Sequence, residues 1–163
     1  ELPQTLRKEY KYYNEMIEMW KVWIISGVNN GYYMEDRDLT MLDWLSYIRN
    51  TLAFLKTNCK SDICKQTINS RISELKKHDK PQYSKVKLNR IQFITLVAKF
   101  IPSTNQQFQE VVYRDVSAAE QKIINMVTKN YLWKDVYWQS RYFQTKNIIT
   151  RWEAAYVIYN YIK

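Results

Sequence analysis

A chain of 163 residues that is 46% apolar and 15% aromatic has the material for a buried core, which excludes an intrinsically disordered chain. No run approaches the roughly 18 uncharged apolar residues that a membrane-spanning helix needs. Two Gly and three Pro are too few for a β-sandwich or barrel built on tight turns, so the fold class reads as mostly α, and a formal net charge of +9 directs attention to acidic partners.

In chain order, Leu6, Tyr10, Tyr13, Ile17, Trp20 and Ile24 form one stripe of a first helix, with Gly27 placed to end it as the C′ residue. Tyr12, Met16, Met19 and Trp23 form a second stripe, which predicts partners on two sides. A polar loop from Val28 to Asp38 leads to a second helix from Met41 to about Lys56. Cys59 and Cys64 are spaced too widely for a CxxC redox or zinc motif. They can pair if the segment between them is a turn in an oxidising compartment. If it is helical they cannot close without distortion, and they are then free or buried thiols.

Cys64, Ile68, Ile72 and Leu75 recur at helical spacing, and the Lys-rich segment that follows ends at Pro81. A further helix runs from Arg90 to Ile101, where Pro102 stops it. Residues 103–112 read as a linker. Ser117 with Glu120 opens a helix through Ile123, Ile124, Val127 and Tyr131, and a final helix runs from Arg151 to the end. The chain opens at Glu1 without a basic-then-apolar leader, as a processed mature protein or an excised domain would.

Three of these helices start the same way. Leu39-Thr40-Met41-Leu42-Asp43-Trp44, Leu88-Asn89-Arg90-Ile91-Gln92-Phe93 and Ile149-Thr150-Arg151-Trp152-Glu153-Ala154 each place a small polar cap three positions before an acid or amide, a capping box. The preceding Leu39, Leu88 or Ile149 is set to pack on Trp44, Phe93 or Ala154 as a hydrophobic staple. The starts are 49 and 61 residues apart, near the spacing of internal repeats. Three helix-loop-helix copies are expected, over about 1–58, 59–102 and 113–163, in one compact domain. The boxed helices, apolar nearly all round, should form a central three-helix bundle with pseudo-threefold symmetry, and the more charged helices should lie outside.

In the third copy, Tyr113-Arg114-Asp115-Val116 is followed by a helix and then by Phe143 through Ala155, which contains Ile149-Thr150-Arg151-Trp152-Glu153. This resembles the S-layer homology repeat, whose pattern is an aromatic-x-Asp start, a helix, a loop with Phe-x-Pro and an Ile-Thr-Arg-Ala-Glu helix start, with Thr145 here in place of Pro. Gly27-Val28-Asn29-Asn30-Gly31-Tyr32 is similar to the family's loop, and the middle copy keeps Leu88-Asn89-Arg90-Ile91-Gln92. The resemblance implies three tandem degenerate repeats that anchor an S-layer or other surface protein to the bacterial cell wall. The partner is then a cell-wall polysaccharide or peptidoglycan-linked glycan, acidic and often pyruvylated, lying in grooves between repeats with the motif Arg on its acid.

Carried over by position, that Arg is Arg151 and Arg90, while the first copy has Met41. An Arg in the first turn of a helix joins a guanidinium fork to free backbone amides, which suits a carboxylate. Charge divides in the same way: residues 1–58 carry seven basic and eight acidic side chains, 59–112 ten and four, 113–163 eight and four. The candidate polysaccharide-binding set is Arg151, Arg90, Trp152, Asp115 and Tyr142, with Trp133 and Trp138 as further aromatic candidates to stack on sugars or to fill the core.

Other function classes fare less well. His78 has no second His or Cys/His cluster beside it in the sequence and reads as a solvated imidazole, so neither a zinc site nor a Ser-His or Cys-His nucleophile has its parts, and no cofactor is implied. Asp115 with Glu120 and Asp36 with Asp38 are weak carboxylate pairs, because Glu120 is a capping residue and the other two share a polar loop. The basic residues are scattered, not gathered on one recognition helix, which disfavours nucleic acid. A protein-protein assembly domain on the same scaffold, including self-association in a surface lattice, is the alternative function.

Overall fold

The computed structural model describes residues 12–27, 33–34, 36–102, 112–127 and 142–162. Within them lie α1 (Tyr13–Lys21), α2 (Met41–Thr57), α3 (Asp62–Lys76), a 3₁₀ turn (Pro81–Lys85), α4 (Arg90–Phe100), α5 (Ala118–Val127) and α6 (Arg151–Ile162). The mostly α class holds for this part of the chain.

The local signals act as written. Thr40 Oγ1 accepts from the Asp43 amide at 3.1 Å while Asp43 accepts from the Thr40 amide at 3.1 Å. Asn89 and Gln92 make the same exchange at 2.9 and 3.0 Å, and Ser117 and Glu120 repeat it at 3.2 and 2.8 Å. At α6 the Thr150 hydroxyl accepts from the Glu153 amide at 3.4 Å, and the Glu153 carboxylate lies toward Arg90. Each cap satisfies donors that the first helical turn leaves without a partner, worth about 0.5–2 kcal/mol per cap.

The residues ahead of the three caps are buried and are joined to one another through their main chains. Leu39 N–H donates to Ile149 O at 2.8 Å, Ile149 N–H to Leu88 O at 3.0 Å, and Leu88 N–H to Leu39 O at 3.2 Å. These hydrogen bonds close on themselves. Two positions on, Met41 N–H reaches Val86 O at 2.7 Å, Arg90 N–H reaches Asn147 O at 2.9 Å, and Arg151 N–H reaches Arg37 O at 2.9 Å, so every step has the same register. The isolated bridges Asp38 with Thr150, Thr40 with Lys87 and Asn89 with Ile148 belong to this ring. First-turn amides that would otherwise need water are thus tied to another segment.

Helix packing follows the chain around. α2 packs on α3, α4 on α5, and α6 on α1, while α2 also touches α4 and α6. Burial separates the helices: α6 buries eight side chains, Arg151 and Glu153 among them, and α2 buries six, whereas α3 buries Ile68 and Leu75 and α5 buries Ile124 and Val127. That contrast is what an apolar circumference and an amphipathic stripe respectively dictate.

Several boundaries differ from the sequence reading. α1 ends at Lys21, and its C′ residue is Trp23 at φ 63°, not Gly27. The helix stops early because Ile24 N–H turns back to Met19 O at 3.0 Å and Trp23 N–H to Trp20 O at 3.1 Å. Pro81 does not close α3; it begins the 3₁₀ turn, where its missing N–H is not needed. Residues 58–61 are a turn, and Cys59 and Cys64 form a disulfide with a Cα–Cα distance of 5.7 Å that joins the end of α2 to the first turn of α3. His78 is half-buried with its ring edge-on to Phe100 at 5.7 Å, so it is a packing residue and not a fully solvated one. Leu6, Tyr10, most of the 103–112 linker, Tyr131, Trp133 and Trp138 lie outside the described residues.

Candidate functional site

Arg151 stands at the first position of α6, directly after the ring segment, and that placement turns its side chain inward. It is 2% exposed. Its Nη1 lies 2.8 Å from Asp43 Oδ1, its Nε donates to Tyr33 O at 3.0 Å, and its Nη2 donates to Ser26 O at 2.7 Å. The guanidinium carbon lies 4.7 Å from the Tyr33 ring centroid and 5.4 Å from that of Tyr47, within cation-π range. The two tyrosine hydroxyls are 2.7 Å apart, and Tyr33 Oη donates to the backbone carbonyl of Arg151 at 2.9 Å. Burial works against the guanidinium's charge, but Tyr47, Tyr33 and Asp43 together outweigh it and hold its pKa above the ordinary value. The sequence reading missed Asp43, except as a cap, together with Tyr33 and Tyr47.

Arg90 stands at the first position of α4 and repeats the arrangement. It is 7% exposed, donates from Nη1 to Phe143 O and to Gln144 Oε1 at 3.1 Å each, and has Nε 3.9 Å from Glu153 Oε2. Both arginines therefore donate to the carbonyl seven residues before a cap, Tyr33 ahead of Thr40 and Phe143 ahead of Thr150. In both cases the next residue has positive φ, Met34 at 56° and Gln144 at 59°. Both pair with the carboxylate at the third position of the helix across the ring. The same step from Met41 leads to Gln92, where cation and acid have both been replaced.

Asp115 accepts two backbone amides at 2.7 Å each, Phe143 on Oδ1 and Gln144 on Oδ2, and so fixes the loop that Arg90 also grips. Trp152 is half-buried and stacks on Tyr12, with ring centroids 5.1 Å apart and planes at 12°. Tyr142 is 49% exposed at the outer end of the Asp115 loop. The structure thus gathers Arg90, Asp115 and Tyr142 around residues 142–144 and puts Arg151 in a separate cluster with Tyr33, Asp43 and Tyr47. Neither arginine opens to solvent: Arg151 is 2% and Arg90 7% exposed, and each donates to a backbone carbonyl of the loop it holds. Among the described residues no group of three or more His, Cys, Asp or Glu is arranged to hold a metal ion.

The buried phenols give the fold an alkaline limit. Burial, reinforced by Tyr47, pushes the Tyr33 pKa well up; burial raises Tyr47 against the pull of Arg151; and burial takes Tyr113 to about 12 against the pull of Arg90. These groups hold their protons more tightly folded than unfolded. Their contribution to stability is complete below the ordinary tyrosine pKa of about 10 and is lost as pH rises through the folded values. A urea midpoint that is level up to about pH 9.5 and falls steeply above pH 10 is expected. The fall should be shallower in Tyr47→Phe.

The chain matches no family model, no curated protein and no solved structure among those compared. Its functional reading therefore rests on its own residues. Also among the described residues, no helix is long and apolar enough to cross a membrane.

Proposed function

We propose that the chain is three degenerate repeats of the S-layer homology kind around a pseudo-threefold axis, serving as a non-catalytic module that attaches a surface protein to an acidic cell-wall polysaccharide. The observation that carries this reading is the closed ring of backbone hydrogen bonds in constant register, with the three boxed starts at equivalent places in it. A repeated sequence signal that recurs as a repeated contact is what a threefold module built from one ancestral unit would have. The net charge of +9 suits an anionic polymer, and the Cys59–Cys64 disulfide suits a compartment outside the cytosol.

In this reading Arg90 and Arg151 hold the loops that carry the binding face, and do not themselves touch the glycan. Tyr142 and Lys146, on the exposed side of the 142–148 loop, are the side chains placed to reach it. The test is sedimentation of the purified domain with Gram-positive cell walls that carry acidic polymers, beside the same walls stripped of them. Saturable binding to the intact walls, weakened by salt and absent from the stripped ones, is expected. Failure to bind either preparation would sink the proposal.

One observation favours a second reading, the same scaffold used as a protein-protein assembly domain: burial of Arg90 and Arg151 removes the motif's cations from the surface. Self-association in the absence of wall material, seen by sedimentation equilibrium, would decide for it.

A further inference from the structure

Trp23 is 78% exposed while its backbone is in the left-handed region at φ 63°. It occupies the C′ position of α1, where glycine is favoured because a Cβ crowds the neighbouring carbonyl. A large indole there is doubly unfavourable for stability, once for the backbone and once for the apolar surface left in water. The turn is nevertheless firmly placed: Asn50 Nδ2, on α2, donates to Ile24 O at 3.3 Å and ties the segment after Trp23 to that helix.

Beside the indole is a groove of about 340 Å³ lined by Val22, Trp23, Asn50, Ala53, Phe54 and Thr57. None of these residues is charged. The lining combines an exposed aromatic face, a second aromatic ring, a side-chain amide and a hydroxyl, and it shares no residue with the Arg90 or Arg151 clusters. A pyranose ring needs this combination: its C–H face stacks on an aromatic plane while its hydroxyls exchange hydrogen bonds with amide and hydroxyl groups.

We infer that the Trp23 groove is a subsite for an uncharged sugar ring of a glycan, separate from the boxed helix starts. The inference rests on the proposed function only for the class of ligand. At a position that suits glycine, the Trp23 indole serves as the stacking platform.

The experiment uses the whole chain with ¹⁵N-labelled indoles, titrated with two neutral probes, triacetylchitotriose and mannotriose, to millimolar concentration. A saturable shift of the Trp23 Nε1–H signal with at least one probe is expected, and it should weaken in Thr57→Val, which leaves the Asn50 bond to Ile24 in place. Trp23→Gly should lose affinity for that probe while its Tm rises by about 2–4 °C, which separates loss of a platform from loss of the fold. No shift at Trp23 with either probe would overturn the inference, as would full affinity in Trp23→Gly or Trp23-dependent dimerisation that covers the groove. Wall sedimentation is read separately: wall binding without a Trp23 shift leaves only the attachment reading standing, and a Trp23 shift without wall binding leaves only this one.

Discussion

Arg151→Met is expected to lower the free energy of unfolding by about 3–5 kcal/mol, the cost of removing one partner from a buried ion pair. A domain has about 5–15 kcal/mol in all, so a urea melt should show a midpoint cut by about a fifth or more. The loss has three sources. Asp43, inside the α2 cap, is left without its cation; the Tyr33 and Ser26 carbonyls lose a donor; and Tyr33 and Tyr47 lose the charge between their rings. Met is the informative replacement because Met41 occupies the corresponding position of α2, and the step that takes Arg151 to Asp43 takes Met41 to Gln92. The double variant Asp43→Gln/Arg151→Met should therefore be more stable than Arg151→Met alone by about 1–3 kcal/mol, the coupling expected of residues in contact. Gln can still accept from the cap amide, as Gln92 does from Asn89. Equal stability of single and double variants would show that the arginine acts by packing and not through its charge.

Phe143→Ala should cost about 3–5 kcal/mol. The ring is fully buried, packs edge-on against Tyr113 with centroids 5.2 Å apart, and belongs to a residue held at both polar ends: its amide by Asp115 and its carbonyl by Arg90. Emptying that space leaves a cavity that two fixed hydrogen bonds prevent from collapsing. Phe143→Leu, which keeps most of the volume, should cost less than half as much in the same denaturation series. If Ala and Leu are equivalent, the loop is anchored by Asp115 and Arg90 alone.

The parts of this structure that were legible in the sequence are the local ones. A capping box needs residues three apart, and Thr40 with Asp43, Asn89 with Gln92 and Ser117 with Glu120 all form it. The limits of α2 and α4 follow within a residue from their caps and from Pro102. The ring was not legible, because its hydrogen bonds join residues such as Leu39 and Ile149 that no local pattern connects, and main-chain donors leave no trace in side-chain type. The end of α1 was misplaced because glycine is the usual C′ residue and Gly27 was at hand; the bond from Asn50 to Ile24 fixes an earlier turn on Trp23. The motif arginines were readable as important but not as inward-facing. One signal could have turned them: where Arg heads a helix, as in α4 and α6, the third position of the next boxed helix around the ring is an acid, Glu153 or Asp43. Where Met heads it, that position is Gln92.

The ring also bears on the order of events in folding. Ser26, Tyr33 and Arg37 wait for partners at Arg151, and Leu39 waits for Ile149, so the earliest described segments are completed by the last. A chain emerging from the ribosome can build the α2–α3 hairpin from neighbouring residues alone. It cannot satisfy the Leu39 amide or the Tyr33 carbonyl until residues 148–162 arrive. Closure at such sequence separation is slow relative to helix formation. The nascent protein therefore leaves these backbone groups without their native partners, and an apolar seam open, until residues 148–162 have been added.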